Sequence, residues 1–175
     1  NRSFPGSKTG SLASRIAYHY TQEILPHVDF ALDLHTGGAQ RHNYPQVRYT
    51  LEAAESKTLA HAFGAPFCLP SKMINGSFRK ATFKLGVPTV VYEAGESMRF
   101  DEMAITLAIK GILNVLRSQK MLISPNKMKK HTSVHLSTSR WIRASRAGMF
   151  IPLIRNGQYV DKGQDLGYVS EAYVK

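Results

Sequence analysis

The chain is poor in cysteine and in long apolar runs. Its 175 residues include one cysteine, Cys68, which excludes an internal disulfide and favours a reducing compartment such as the cytoplasm. No stretch approaches the roughly 18 consecutive apolar residues of a membrane span. We therefore expect a globular cytoplasmic protein that does not enter a membrane.

Acidic residues are also scarce. The chain has 23 Lys and Arg residues against 12 Asp and Glu residues, a net charge of +11 that would attract anionic partners. The basic residues are spread along the chain, and their densest cluster, 127–131, has no interleaved aromatic residues. We interpret residues 124–131 as a linker between domains and do not expect nucleic-acid binding. Whether the chain forms a homo-oligomer is left open.

Alternating helical and extended patterns over residues 1–123 predict an α/β domain. Leu12, Ile16, Tyr20 and Ile24 recur at helical spacing behind Ser11, a suitable N-cap, and this stripe is expected to pack on a sheet. Helices are predicted at 12–24, 51–63, 76–85 and 101–120, strands at 30–34, 66–69 and 87–92, and a loop at 36–49.

After the linker the pattern changes to short alternating segments, which predict a small β domain over residues 132–175. Strands are expected at 141–144, 148–153, 159–160 and 166–169, with turns at Asn156-Gly157 and Lys162-Gly163. The segment 156–167 resembles the barrel-sandwich hybrid of biotinyl and lipoyl domains. Lys162 lies within a turn of this segment, so we do not expect it to carry biotin or lipoate, and we expect the domain to be incomplete.

Two short motifs carry the chemistry. An apolar run leads into Asp33-Leu34-His35-Thr36-Gly37-Gly38, which would place a histidine where a strand gives way to a turn. A second apolar strand leads into Glu93-Ala94-Gly95-Glu96, which would place a carboxylate at the end of a strand, where catalytic groups of open sheets lie. An imidazole and a carboxylate so placed suggest metal-assisted hydrolysis.

The order of three motifs resembles one protein family. Asn1-Arg2-Ser3-Phe4-Pro5-Gly6, then Asp33-Leu34-His35-Thr36, then Glu93-Ala94-Gly95 resemble the succinylglutamate desuccinylase/aspartoacylase family of the zinc carboxypeptidase A clan. The resemblance implies a zinc-carboxypeptidase-like mixed sheet flanked by helices, with the β domain behind it. Because the chain opens inside a motif, we expect residues 1–123 to be the catalytic domain without its N-terminal portion.

The resemblance also implies a zinc-dependent hydrolase that removes an acyl group from an N-acyl amino acid or a related small carboxylate. His35 would be one of three ligands to a single Zn²⁺, and Glu93 would be the general base. The other two ligands are expected in an upstream His-x-x-Glu segment, since no His-x-x-Glu occurs in these residues. Glu96 competes with Glu93 for the role of base because it lies only three residues away.

Substrate binding is assigned by the same resemblance. Asn1 and Arg2 match a pair that grips the substrate carboxylate, a task that suits the planar donor fork of arginine. Arg41, Asn43 and Arg48 follow His35 and are expected to face the same pocket, and Arg79 is a further candidate.

Two other functions stay open at this point. A zinc metallocarboxypeptidase would use the same groups, and a binding protein could keep the fold without the metal. Cys68 is expected in the core. The remaining histidines lack a ligand-like spacing and are interpreted as surface or capping residues; they are His19, His27, His61, His131 and His135, with His42 assigned to a surface loop.

Overall fold

The computed structural model describes residues 2–39, 41–123 and 132–171. Asn1 and the predicted linker 124–131 lie outside these residues. The chain divides into two compact units, Asn1–Thr138 and Ser139–Lys175. The helices are α1 Leu12–His19, α2 Ala54–Phe63, α3 Phe78–Lys84 and α4 Glu102–Ser118. The strands are β1 Ala31–Gly37, β2 Asn43–Tyr49, β3 Phe67–Pro70, β4 Thr89–Glu96, β5 Val134–His135, β6 Met149–Pro152 and β7 Gly167–Ser170.

The first unit is built on a mixed five-stranded sheet with the order β1-β4-β2-β3-β5. The pairs β1/β4, β2/β3 and β3/β5 are parallel, whereas β2 runs antiparallel to β4. Helices alternate with these strands along the chain, so the predicted mixed α/β fold is confirmed. β5, which the sequence analysis placed in the β domain, pairs with β3 of the larger unit.

Alternation along β4 gives the sheet two different faces. Val90, Tyr92 and Ala94 are buried in one hydrophobic cluster with residues of α2 and α4. Because successive side chains of a strand point to opposite faces, Val91 and Glu93 lie on the other side. We call these two sides the core face and the site face.

The core face is closed by tight contact between α2, α4 and β4. The Phe63 ring, 1% exposed, lies 5.0 Å from the Tyr92 ring, measured between centroids. The Tyr92 hydroxyl donates a hydrogen bond of 2.9 Å to the carbonyl of Ala104, and burial raises the pKa of Tyr92 to about 12. Gly111 of α4 faces the same Phe63 ring, so that the two helices approach closely.

The predicted loop at 36–49 is wrong in its second half, because β2 occupies Asn43–Tyr49. Pro45 obscures the alternation of this strand in the sequence. It is buried, and the antiparallel register with β4 shifts between Asn43 and Gln46, where Pro45 lies. A proline is tolerated in a strand at such an irregularity because the ladder needs no amide hydrogen there.

The first helix differs from its prediction in length and in the face it buries. Ser11 caps it as expected, accepting a hydrogen bond from the amide of Ser14, but α1 ends at His19 and a π-helical turn, Tyr20–Ile24, continues it. The expected apolar stripe is largely exposed; its members are Leu12 (71%), Ile16 (50%), Tyr20 (44%) and Ile24 (44%). The buried side instead carries Ala17, Thr21 and Leu25.

In the second unit β6 and β7 form an antiparallel pair, Met149–Pro152 with Gly167–Ser170. The turns at Asn156-Gly157 and Lys162-Gly163 are confirmed, with both glycines at positive φ. The strands expected at 141–144 and 159–160 are wrong, because these residues are irregular. The barrel-sandwich-hybrid assignment and the domain limits stay predictions. Among the described residues no helix combines the length and apolarity that a membrane crossing demands.

Replacing Gly111 with alanine should destabilise the first unit although alanine is the better helix former. A Cβ atom at this position would lie 2.2 Å from Cε1 of Phe63. Overpacking of this kind costs about 1–3 kcal/mol, whereas the gain in helix propensity is about 1 kcal/mol. We expect a lower free energy of unfolding in urea for Gly111→Ala.

The matched control is Thr106→Ala, which changes an exposed position of the same helix. It should leave stability unchanged or raise it slightly. A Gly111→Ala protein as stable as the wild type would show that α2 and α4 do not depend on this close approach.

Candidate active site

The predicted zinc ligand and the predicted general base lie next to each other on adjacent strands. His35 of β1 and Glu93 of β4 are register partners in the parallel pairing, so their side chains lie on the same face. Nδ1 of His35 is 3.6 Å from Oε1 of Glu93. The register of one strand pair therefore brings together residues from two distant motifs.

Both groups lie within their strands rather than after them, which corrects the expected position. β1 continues two residues past His35 to Gly37, and β4 continues past Glu93 to Glu96. The pairing shifts register between His35 and Gly37, and Gly95 has a φ of +64°. Only glycine adopts this backbone at little cost, which gives the Glu-x-Gly motif its physical reason.

Asp33 is a third member of the site, which was not predicted from the sequence. Oδ1 of Asp33 lies 2.9 Å from Nε2 of His35. The sequence could have shown that Asp33 lies beside His35, because residues two apart in a strand project from the same face. Hydrogen bonds with Asp33, and then with Glu93, raise the pKa of His35 to about 9.

The Glu93 carboxylate is held by two further predicted residues, both from β2. Nδ2 of Asn43 donates a hydrogen bond of 2.9 Å to Oε2 of Glu93. Nη1 of Arg48 lies 3.8 Å from Oε1 of Glu93. Since β2 is the antiparallel neighbour of β4, these contacts depend on the strand that the sequence analysis read as a loop.

These groups line a cleft of about 410 Å³ on the site face. Its walls carry three arginines and two carboxylates around His35, which makes the cleft suited to a polar, anionic ligand. The lining residues are Arg2, Asp33, His35, Arg48, Ser71, Ile74, Ser77, Arg79, Val91 and Glu93.

Arg79 is the most buried of the cleft arginines, at 6% exposure. Its Nη2 donates hydrogen bonds to Oγ of Ser71 (3.1 Å) and to the carbonyl of Lys72 (2.8 Å). Its Nε and Nη1 are buried and find no hydrogen-bond acceptor among the described residues. Burial, and then the charge of Arg48, lower the pKa of Arg79. Donors left in this condition favour an incoming anion.

The remaining predicted residues differ in their relation to the cleft. Arg41 is exposed, donates a 3.0 Å hydrogen bond from Nε to the carbonyl of Gly38, and is not among the residues that line the cleft. Glu96, the competing base, lies 2.8 Å from Nε of Arg99 and is likewise absent from the lining. Asn1 is outside the described residues, whereas Arg2 lines the cleft.

The donor set around His35 fits a zinc ligand. Metal-bound histidines usually donate the other ring N–H to a carboxylate, which fixes the tautomer. Asp33 is positioned to accept a hydrogen bond from Nε2 of His35. Nδ1, on the side of Glu93, would then be the ring nitrogen that binds the metal. A metal would have to displace the proton that the raised pKa retains on the ring. Among the described residues the cleft supplies one histidine.

Asp101 ties the start of α4 to the residues that precede Asn43. Its Oδ1 accepts a hydrogen bond of 3.0 Å from the amide of Ala104, as an N-cap does, and its Oδ2 lies 2.9 Å from Nε2 of His42. These contacts, the backbone one first, lower the pKa of Asp101.

Comparison with known proteins agrees with the family resemblance of the sequence motifs. Residues 1–119 match the family model of the succinylglutamate desuccinylase/aspartoacylase catalytic domain. The chain is 26% identical to the N-alpha-acetyl-L-2,4-diaminobutyric acid deacetylase of Halomonas elongata, over 97% of this chain and 52% of that protein. The chain thus spans about half the length of this curated relative.

Solved structures agree with the sequence comparison. The product-bound ectoine utilization protein EutE (DoeB) of Ruegeria pomeroyi has a TM-score of 0.86 and 27% identity, over 99% of this chain and 56% of that one. A succinylglutamate desuccinylase/aspartoacylase of Rhodobacter sphaeroides has a TM-score of 0.83 and 26% identity, over 97% of this chain and 54% of that one.

Asp101→Ala should cost about 1 kcal/mol of unfolding free energy at pH 7, the usual effect of losing an N-cap. A carboxyl whose pKa is lowered by folding stabilises the protein above its ordinary pKa, here 3.8, and loses that contribution as the pH falls through the folded value. The difference in unfolding free energy between Asp101→Ala and wild type should be fully developed at pH 7 and should narrow below pH 3.8.

Urea unfolding at several pH values measures this difference. Asp101→Asn serves as the matched variant because it keeps a capping oxygen and removes the charge facing His42. A deficit of Asp101→Ala that stays constant down to acid unfolding would show that the ionised carboxylate contributes nothing.

Proposed function

Because this chain belongs to the succinylglutamate desuccinylase/aspartoacylase family, we propose that it hydrolyses the amide bond of a small N-acyl amino acid in a zinc-dependent reaction. The observation that carries the proposal is the pairing of His35 with Glu93 inside a cleft lined by three arginines. The similarity to a deacetylase of an acetylated diaminobutyric acid supports amide hydrolysis over other reactions of the clan.

His35 would hold the zinc together with two ligands that we propose lie in an upstream His-x-x-Glu segment. A zinc ion there would polarise the scissile carbonyl and would lower the pKa of a water molecule towards about 7. Asp33 keeps the His35 ring in one orientation through its 2.9 Å contact with Nε2. This contact is the supporting interaction that metal-binding histidines usually need.

Glu93 is the proposed general base. Its carboxylate takes a proton from the attacking water as the water oxygen bonds to the acyl carbon, and later gives that proton to the nitrogen when the C–N bond breaks. The products are a carboxylic acid and a free amine. Asn43 and Arg48 fix the carboxylate from the neighbouring strand, so that Oε1 remains on the side of His35.

The arginines define the substrate as an anion. We propose that Arg79 binds the substrate carboxylate through a charge-assisted hydrogen bond from Nε or Nη1, the two nitrogens that have no acceptor among the described residues. A negative group near Arg48 and Arg79 would also offset the repulsion between these two cations. Arg2 lines the same cleft. The proposal includes the carboxylate-binding role that the resemblance implies for Arg2 and Asn1.

Two variants of the full-length protein separate the metal from the base. Glu93→Gln should keep its zinc, measured by elemental analysis, and lose about 100- to 10,000-fold in kcat on N-acetyl amino acids. His35→Ala should hold one zinc fewer per chain than wild type and should lose activity, because it removes a ligand of the cleft zinc.

Two results would contradict the proposal. One is zinc-loaded wild type that hydrolyses none of a panel of N-acyl amino acids. The other is a Glu93→Gln protein with full kcat. Hydrolysis of tripeptides in preference to N-acyl amino acids would favour a carboxypeptidase.

The role of Arg79 is tested with paired substrates, an N-acetyl amino acid and its carboxamide. Wild type should prefer the acid, and Arg79→Met should lose that preference through a rise in KM of about 10- to 100-fold for the acid, the size expected for a lost charge-assisted hydrogen bond. Arg15→Met, which changes an exposed arginine of α1, is the control and should behave as wild type.

Circular dichroism is needed beside these kinetics because Arg79 is buried. A folded Arg79→Met enzyme that still prefers the acid by the wild-type factor would exclude Arg79 from carboxylate recognition.

A further inference from the structure

A second cluster of metal-binding side chains lies outside the cleft. His61 of α2, Cys68 of β3 and His135 of β5 each offer one ligand atom, and these atoms all lie within 4.8 Å of one another. The two histidines are exposed and the cysteine is buried. The expectation that these histidines lack a ligand arrangement was drawn from spacing along the chain, whereas the fold brings them together.

The backbone holds the cluster in place. Cys68 and His135 are register partners in the parallel pairing of β3 with β5, so their side chains lie next to each other on one face. The pairing is fixed by backbone hydrogen bonds on both sides, from the amide of Val134 to Pro66 (2.8 Å) and from the amide of Leu136 to Cys68 (2.9 Å). His61 approaches from the last turn of α2, which packs on the same face.

We propose that His61, Cys68 and His135 form a second metal site, which binds zinc or a similar borderline-soft divalent cation. One thiolate and two imidazoles are a donor set that such cations prefer over Mg²⁺ or Ca²⁺. In a tetrahedral site with Zn–N of about 2.0 Å and Zn–S of about 2.3 Å, the ligand atoms would be about 3.3 to 3.6 Å apart. Reaching that spacing from separations of up to 4.8 Å requires the two exposed imidazoles to rotate.

The state of the imidazoles supports the site. The His61 and His135 rings lie 4.5 Å apart between centroids. Burial, and then the charge of His135, lower the pKa of His61, which favours the neutral imidazole that a metal requires. Cys68 is the harder ligand to prepare, since burial raises its pKa to about 11 and the cation must displace the thiol proton.

This cluster is separate from the proposed catalytic centre. Cys68 belongs to the buried cluster of the core face, together with Val47 and Tyr92. His35 and Glu93 lie on the site face of the same sheet. A cation bound at the second cluster would join α2 to β5, a two-residue strand at the edge of the sheet, and would therefore act on stability.

Cobalt(II) gives a direct test because a thiolate bound to Co²⁺ absorbs in the near ultraviolet. Cys68 is the only cysteine among the 175 residues, so the band from this chain reports on one site. The reduced, metal-free full-length protein should develop the band on titration with Co²⁺, and Zn²⁺ should displace it. Cys68→Ala should abolish the band, and His61→Ala or His135→Ala should weaken Co²⁺ binding by about tenfold or more.

Two controls keep the result specific. His27→Ala changes another exposed histidine and should bind Co²⁺ as wild type does. His35→Ala should also retain the band, although it removes the proposed catalytic ligand, so that failure of one metal site can be told from failure of the other.

Thermal unfolding supplies a second readout. Zn²⁺ should raise the melting temperature of His35→Ala, since a ligand that binds only the folded state stabilises it, and should not raise that of the His35→Ala/His135→Ala double variant. A folded wild type that shows no near-ultraviolet band with Co²⁺ would overturn the proposal. A band that survives both His61→Ala and His135→Ala would overturn it as well.

Discussion

The parallel pairing of β1 with β4 is the constraint on which the proposed active site depends. It aligns His35 with Glu93, and the same alternation that places Glu93 on the site face places Val90, Tyr92 and Ala94 on the core face. A slip of one residue would turn every side chain of a strand to the wrong face, so burial of the core residues also secures the register of the site. Packing on one face thus determines chemistry on the other.

Local patterns were sufficient for much of the fold. The apolar runs before His35 and Glu93 are strands, and the spacing of apolar residues in 101–120 predicted α4 to within two residues at each end. The apolar stripe of residues 12–24 was misleading, because Ala17 and Thr21 are buried instead. Periodicity shows that a helix is amphipathic, but small residues can form the face that packs most closely.

The missed strand had a different cause. In β2 the buried positions Pro45, Val47 and Tyr49 alternate as they should, yet a proline normally argues against a strand between two neighbours. The register shift near Pro45 removes the need for its amide hydrogen, and such an irregularity depends on the partner strand β4. No local feature of 43–49 reports that partnership.

Site residues divide in the same way. His35 and Glu93 were found because a motif surrounds each of them, whereas the contact of Asp33 with His35 follows from strand geometry that could have been applied beforehand. The hydrogen bond from Asn43 to Glu93 and the cluster of His61, Cys68 and His135 join residues that are distant in sequence. The strand order, and for His61 the packing of α2, places them together. The motif after His35 predicted Asn43 in the pocket, but spacing along the chain gave no signal for its bond to Glu93 or for the cluster.

The charges of the cleft explain why Arg48 and Arg79 are kept partly unsatisfied. A buried donor without an acceptor costs about 1–3 kcal/mol, and both Arg48 and Arg79 have such nitrogens. If carboxylates of the protein satisfied them, an anionic substrate would have to displace those partners and would gain little. Arg79 is instead held by neutral acceptors of Ser71 and Lys72 through one nitrogen, which fixes its position and leaves Nε and Nη1 without an acceptor among the described residues. The fold thus gives up some stability in the cleft, and the substrate carboxylate that we propose would recover it on binding.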